Sequence, residues 1–203
     1  MTILLTAFEP FGGEGINASL EAMRLVEPPA GTELLRLTVP TVFGRCTETV
    51  LDALCRLRPD AVVCLGQAAG REAITPERRA VNLRNARIPD NEGFCPVERP
   101  VVPGGEAELY STLPVEAMCA AILARGIPAR ISESAGTFVC NDLMYGLLHA
   151  LRRRGIAIPA GFIHVPCLPE QAKEGEASMA LACIVEGIYA ALDVLPPDAA
   201  KRP

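Results

Sequence analysis

The chain predicts an α/β fold: a single three-layer α/β/α domain around a largely parallel, twisted central sheet. Three observations carry this. Short apolar runs alternate with longer segments of helical spacing through most of the sequence, the pattern of a parallel sheet covered on both faces. The 203 residues match the usual size of one such domain. Half of them are hydrophobic, enough for a sizeable core.

The elements follow in order. "TILLTA" (2–7) is a short apolar run and predicts a buried strand. "FEPFGGEGIN" (8–17) is a Pro- and Gly-rich loop. Asn17 is placed to cap a helix through "ASLEAMRLV", which ends before Pro28-Pro29. "ELLRLTV" (33–39) predicts the second strand, 44–58 a helix, and "AVVCLG" (61–66) a third strand ended by glycine. Residues 67–110 hold turns, charges and short alternating pieces; a long insertion of this kind between regular elements marks a functional region. Pro114 opens a helix that Gly126 stops. "ARISES" (129–134) predicts a strand, 141–154 a helix, "AGFIHVP" (160–166) a strand, and 174–194 the last helix. The domain is expected over 1–195, with 196–203 a loose tail. No internal repeat or linker interrupts it.

Composition excludes several classes. Nineteen basic against 24 acidic residues give a net charge of −5. The one basic triplet, 152–154, falls at an expected helix C-terminus, where the macrodipole favours positive charge. A nucleic-acid partner is not expected. "MTILLTAFEP" lacks the basic segment of a secretory signal, and no apolar run is long enough to span a bilayer. A cytoplasmic chain without membrane association is the expectation, so its eight cysteines should be reduced thiols, mostly packing residues. None forms a C-x-x-C pair, and His149 and His164 are not spaced as zinc ligands.

In sheets of this class, ligands lie beyond the carboxyl ends of the strands. Three segments fall there: Phe8–Gly13, Cys140 and His164–Pro166. Cys140, in "SAGTFVCND", sits where a helix begins, and a helix N-terminus favours a thiolate. A thiolate nucleophile needs an acid to protonate its leaving group. His149 lies nine residues further along the same helix, about 13 Å away by helical rise, and points elsewhere. His164 ends a strand that runs toward the same sheet edge. A third group usually fixes the imidazole tautomer; Glu77 and Asp90, both in the insertion, are candidates that spacing alone does not separate. "FEPFGG" places two of nine aromatic residues three apart in one loop, suited to a flat apolar pocket. Its glycines lack the pattern of a phosphate loop. Another Cys–His–Glu amide hydrolase or amidotransferase, a phosphorylase-like enzyme, and a binding protein with an inert thiol are the competing readings.

The segments "LLTAFEPFGG", "CLGQAAGR", "ITPERRAVN", "ARIPDNEG", "SESAGTFVCNDLMYGLLH" and "GFIHVP" resemble, in order and over nearly the whole chain, the pyroglutamyl peptidase type I family of cysteine peptidases. The resemblance implies a phosphorylase/hydrolase-like α/β fold and removal of N-terminal pyroglutamate from peptides through a thioester. It implies Cys140 as nucleophile, His164 as its acid–base partner and Glu77 as the group orienting the histidine. Phe8 and Phe11 match an aromatic pair that contacts the substrate ring. Gln67 and Val139 match positions whose backbone lines the pocket, and Arg87 an arginine near the oxyanion region. No metal or organic cofactor is implied, and a homotetramer is. Ala7, Arg79 and the second alanine of "GQAAGR" depart from the usual pattern without removing a catalytic group.

Overall fold

The structure, a computed structural model, describes residues 1–195; the tail expected at 196–203 lies outside the described residues. Among the described residues, seven strands and five helices follow one another as β1 (Thr2–Phe8), α1 (Ala18–Leu25), β2 (Glu33–Val39), α2 (Arg45–Leu57), β3 (Ala61–Gln67), β4 (Thr75–Pro76), β5 (Arg79–Val81), β6 (Glu108–Tyr110), α3 (Val115–Ala124), α4 (Val139–Arg153), β7 (Ala160–Val165) and α5 (Leu181–Asp193). The main sheet has the order β2-β1-β3-β7-β4. Its first four strands are parallel, and β4 adds a short antiparallel edge.

Strand alternation divides the core in two. Ile3, Leu5 and Ala7 of β1 face one side, with Val63, Leu65, Ile163 and Val165, under α1, α3 and α5. Leu4 and Phe8 face the other, with Val62, Cys64 and Phe162, under α2 and α4. Both faces are dry, which is why these strands read as continuous apolar runs. Each fully buried aliphatic side chain contributes about 1.5–3 kcal/mol. Three-layer packing therefore follows directly from the apolar content.

From β1 the chain moves to one side to form β2, then returns across β1 to lay down β3. Strand order reverses between β1 and β3, a point where loops diverge and leave a crevice. The carboxyl ends of β1, β3 and β7 meet there, bringing together Phe8, Gln67 and His164.

Three expectations need correction. Residues 129–134 do not form a continuous strand; they make only two parallel bridges, Ile74↔Ala129 and Glu77↔Ser132. Pro76 and Pro128 supply carbonyls to this pairing but no N–H, which interrupts the ladder. The last helix starts at Leu181 rather than 174: Gly175 takes a left-handed φ of +81°, and the Met179 N–H is spent on the Cys167 carbonyl at 2.9 Å. The cysteines, all free, are not mostly packing residues: Cys46, Cys64, Cys119 and Cys167 are buried, but Cys55, Cys95 and Cys183 are exposed.

Candidate active site

His164, next to last in β7, is 4 % exposed. It pairs in register with Gly66 of β3. Phe162, two residues earlier, shares its face of the strand, and the two rings lie 4.7 Å apart. This is the face covered by α4. His164 Nδ1 lies 2.7 Å from Glu77 Oε1. A carboxylate oxygen can only accept, so the proton sits on Nδ1 and Nε2 keeps its lone pair.

Glu77 follows the edge strand β4 and is fully buried. Its N–H donates to the Phe162 carbonyl at 2.9 Å, which fixes its backbone against β7. The same Oε1 also accepts from Arg71 Nη1 at 2.6 Å. Burial of a carboxylate requires such partners. Asp90, the other candidate, is committed elsewhere: its carboxylate accepts from the N–H groups of Phe43, Glu92 and Phe94 at 3.1, 3.0 and 2.9 Å. It organises a turn, and of these two carboxylates it is Glu77 that contacts His164.

Cys140 is the second residue of α4. The residue before the helix is Phe138, which has no side-chain oxygen to cap it, so the first N–H groups of the helix, which have no intrahelical acceptor, receive no side-chain cap. A β-carbon placed on Gly66 would lie 3.0 Å from Cys140 Sγ and 2.7 Å from Phe162 Cζ. Cys140 and His164 therefore converge on the same bare stretch of β3. Burial pushes the Cys140 thiol up to about 12, reinforced by the nearby Glu77 and partly offset by Arg71. Burial also holds His164 below its ordinary value, against the opposing pull of Glu77. Desolvation is the largest influence on both groups and opposes the helix N-terminus at Cys140.

The remaining residues divide between rim and support. Phe8 is only 2 % exposed and packs against Phe162 with centroids 6.3 Å apart. Phe11 is half-buried and lies 6.0 Å from Phe138, an aromatic residue of the cysteine motif that the sequence reading did not place among the site residues. The signal for Phe138 was its place two residues before Cys140. Gly12 and Gly13, at φ +65° and +84°, turn the chain after Phe11 through a region closed to most side chains. Glu9 ties the loop down, accepting from the Thr41 N–H and Asn91 Nδ2. The Gln67 side chain accepts from the Ala18 N–H at 2.7 Å, so it joins β3 to the start of α1. Val139 is buried beneath the start of α4. Arg87 stands exposed on the insertion beside Ile88, whose side chain approaches Gly12; no hydrogen bond of Arg87 occurs among the described residues. His149 stacks on Tyr145 and takes no part. Arg79 bonds to the Glu133 carbonyl and to Glu108, leaving Glu77 undisturbed.

The two residues after Cys140 explain the rest of that motif. Asn141 accepts from the Val81 N–H and donates to the Val81 and Leu83 carbonyls, at 2.9–3.0 Å. Asp142 accepts from the Gly44 N–H at 2.7 Å and from Arg84 Nε at 2.5 Å. Together they clamp the insertion onto the start of α4. Their polarity, inside a buried helix face, satisfies backbone groups that would otherwise be orphaned.

Comparison with known proteins follows the same lines. A sequence model described as pyroglutamyl peptidase matches residues 1–196. A pyrrolidone-carboxylate peptidase of Gloeobacter violaceus is 54% identical over 201 residues, covering 96% of this chain and 97% of the relative. One from Levilactobacillus brevis is 47% identical over 195 residues, covering 95% and 96%. Among solved structures, pyroglutamyl peptidase I of Bacillus amyloliquefaciens superposes with a TM-score of 0.90 at 43% identity, covering 96% of each chain. A mutant pyrrolidone carboxyl peptidase of Pyrococcus furiosus gives 0.90 at 39%, covering 96% and 98%.

Proposed function

The chain belongs to the pyroglutamyl peptidase family of cysteine peptidases, and from that premise we propose that it removes N-terminal pyroglutamate from peptides with Cys140 as nucleophile, His164 as acid and base, and Glu77 as the group that orients His164. The observation that carries this is the His164 Nδ1–Glu77 Oε1 contact of 2.7 Å, which leaves Nε2 with its lone pair, in a histidine whose strand neighbour Gly66 also adjoins Cys140 Sγ.

Burial favours the neutral forms of both thiol and imidazole, so in this mechanism proton transfer accompanies attack. His164 Nε2 takes the Cys140 proton as Sγ bonds to the pyroglutamyl carbonyl carbon. The carbonyl oxygen becomes an oxyanion, held by N–H groups at the start of α4, that of Cys140 among them. Glu77 stabilises the imidazolium formed. The tetrahedral species collapses, the C–N bond breaks, and His164 returns the proton to the departing amine. A water then gives a proton to His164 and attacks the thioester. The C–S bond breaks, pyroglutamate leaves, and the thiol regains its proton.

Ring specificity follows from desolvation. Pyroglutamate is a neutral lactam, whereas an ordinary peptide N-terminus is an ammonium. A site walled by Phe11 and Phe138, backed by Phe8, imposes a heavy penalty on that charge. The lactam N–H and C=O need one acceptor and one donor, and backbone groups of Gln67 and Val139 are the proposed sources. Such a site rejects analogues lacking either group. Arg87 is assigned to the outer rim. A cytoplasmic location and a homotetramer complete the reading; no described helix is long and apolar enough to cross a membrane.

The test is release of a fluorescent amine from a pyroglutamyl amide under reducing conditions, beside prolyl and free-amino glutaminyl amides. Turnover of the pyroglutamyl substrate alone, abolished in Cys140→Ala, is the expected result. A folded wild-type protein that leaves this substrate intact contradicts the reading.

A further inference from the structure

We propose that Arg71 is a positioning residue for the reaction: its guanidinium holds the Glu77 carboxylate in the one place from which it can orient His164. This rests on the roles proposed for Glu77 and His164. Arg71 lies in "GQAAGR", just past the carboxyl end of β3.

The geometry is a fork. Nη1 donates to Glu77 Oε1 at 2.6 Å and also bonds Thr75 Oγ1, while Nη2 donates to the Ser134 carbonyl at 3.3 Å. Thr75 in turn donates to the His164 carbonyl at 3.4 Å. One side chain thus ties together the edge strand beside His164, the carboxylate, and the segment leading to Cys140. The load falls on a single oxygen: Oε1 receives both Arg71 and His164, and Oε2, fully buried, has no hydrogen-bond partner. If Arg71 were only a structural counter-ion, either oxygen would serve it. With both contacts on Oε1, rotation of the carboxyl group breaks both at once. A lysine, one compact charge, cannot span the Glu77 and Ser134 contacts together.

Among the described residues, Arg71 is also the cation that acts on both members of the pair. Its charge lowers His164 and opposes the upward push on Cys140. Other titratable groups coupled to these residues are Glu77, Cys64 and Cys46. Arg78, next to Glu77 in sequence, is turned outward to Glu116 and Glu133.

Arg71 lines a cavity of about 330 Å³ with Thr75, Arg130, Ser132 and Ser134. That opening makes a chemically specific test feasible, because a small cation can reach the space left by truncation. Arg71→Ala is expected to lose about 100-fold in kcat/KM, chiefly in kcat, and to recover at least tenfold with millimolar guanidinium but not with ammonium. The acid limb of its kcat/KM profile moves to higher pH, since a charge that lowers His164 is gone. Arg71→Lys is expected to lose kcat several-fold with KM unchanged and to keep the wild-type acid limb. It carries the test if Arg71→Ala does not fold.

The rate of iodoacetamide labelling of Cys140, followed by mass spectrometry of its peptide, reads the same electrostatics without any substrate; in Arg71→Ala its pH profile moves upward. This result stands even if no pyroglutamyl substrate is turned over, so failure of the peptidase reading and failure of this one are distinguishable. Three results overturn the proposal: wild-type kcat in either variant; a folded, inactive Arg71→Ala that guanidinium does not restore and whose acid limb is unmoved; or a Cys140 labelling profile that stays in place.

Discussion

Gly66→Ala adds one methyl group at the point where Cys140 and His164 converge, and its cost can be worked from distances. The new carbon would sit 2.7 and 2.8 Å from Phe162 Cζ and Cε1 and 3.0 Å from Cys140 Sγ. Comfortable contact between carbon atoms is about 3.5–4.0 Å, so the ring and the sulfur must each retreat by roughly 1 Å. Gly66 does not adopt a positive φ, so alanine brings no backbone strain and the effect is purely steric. Phe162 is fully buried and has nowhere to go without disturbing the His164 ring 4.7 Å away. Overpacking of this kind costs about 1–3 kcal/mol of stability. A displacement of about 1 Å at reacting atoms costs about 100-fold in rate. The assay is kcat/KM on a pyroglutamyl amide, with a urea melt alongside. The expected outcome is a folded protein with a modest loss of stability and a disproportionate loss of kcat. Undiminished kcat would refute the reasoning, because it would mean that the thiol does not act from beside β3.

Other outcomes follow from the same geometry. Glu77→Gln keeps the shape but offers His164 an amide and leaves Arg71 opposite a neutral group; kcat should fall by about 10³–10⁴-fold, measured on the same substrate. Neutral His164 is the base, so kcat/KM should decline only as pH falls through its lowered value, below the ordinary 6.5, with a plateau through neutrality. With the thiol pushed up to about 12, ultraviolet difference spectra of wild type against Cys140→Ser should show no thiolate band between about pH 6 and 8; a band there would establish a resting ion pair instead. Asp142→Ala strands Arg84 and the Gly44 N–H and should cost about 3–5 kcal/mol by urea unfolding. Phe138→Ala removes a proposed pocket wall beside Phe11 and should raise KM more than it lowers kcat.

The sequence made the parallel sheet legible because β1, β3 and β7 are dry on both faces, while the edge strand β2 alternates buried and exposed residues. It made Cys140 and His164 legible because both sit at element ends. Glu77 was visible only through family resemblance: a buried carboxylate and a surface one look alike until their partners are known, and Asp90 proved to be buried too, bonded to a turn. Arg71 was missed for the same reason, since its significance lies in a contact across 6 residues of irregular chain. The pKa of Cys140 was not legible in the sequence: local position argues for a helix N-terminus, whereas desolvation depends on everything packed around the thiol. The broken strand at 129–134 shows the limit of reading an alternating run whose neighbours are prolines.

The most direct test of the account is to trap the acyl-enzyme. Wild-type protein mixed with a pyroglutamyl ester and quenched in acid within the first turnover should gain the mass of one pyroglutamyl group, located by peptide mapping on Cys140, and lose it on further incubation. Turnover with no adduct, or an adduct on any other of the eight cysteines, would contradict the claim that Cys140 carries the reaction.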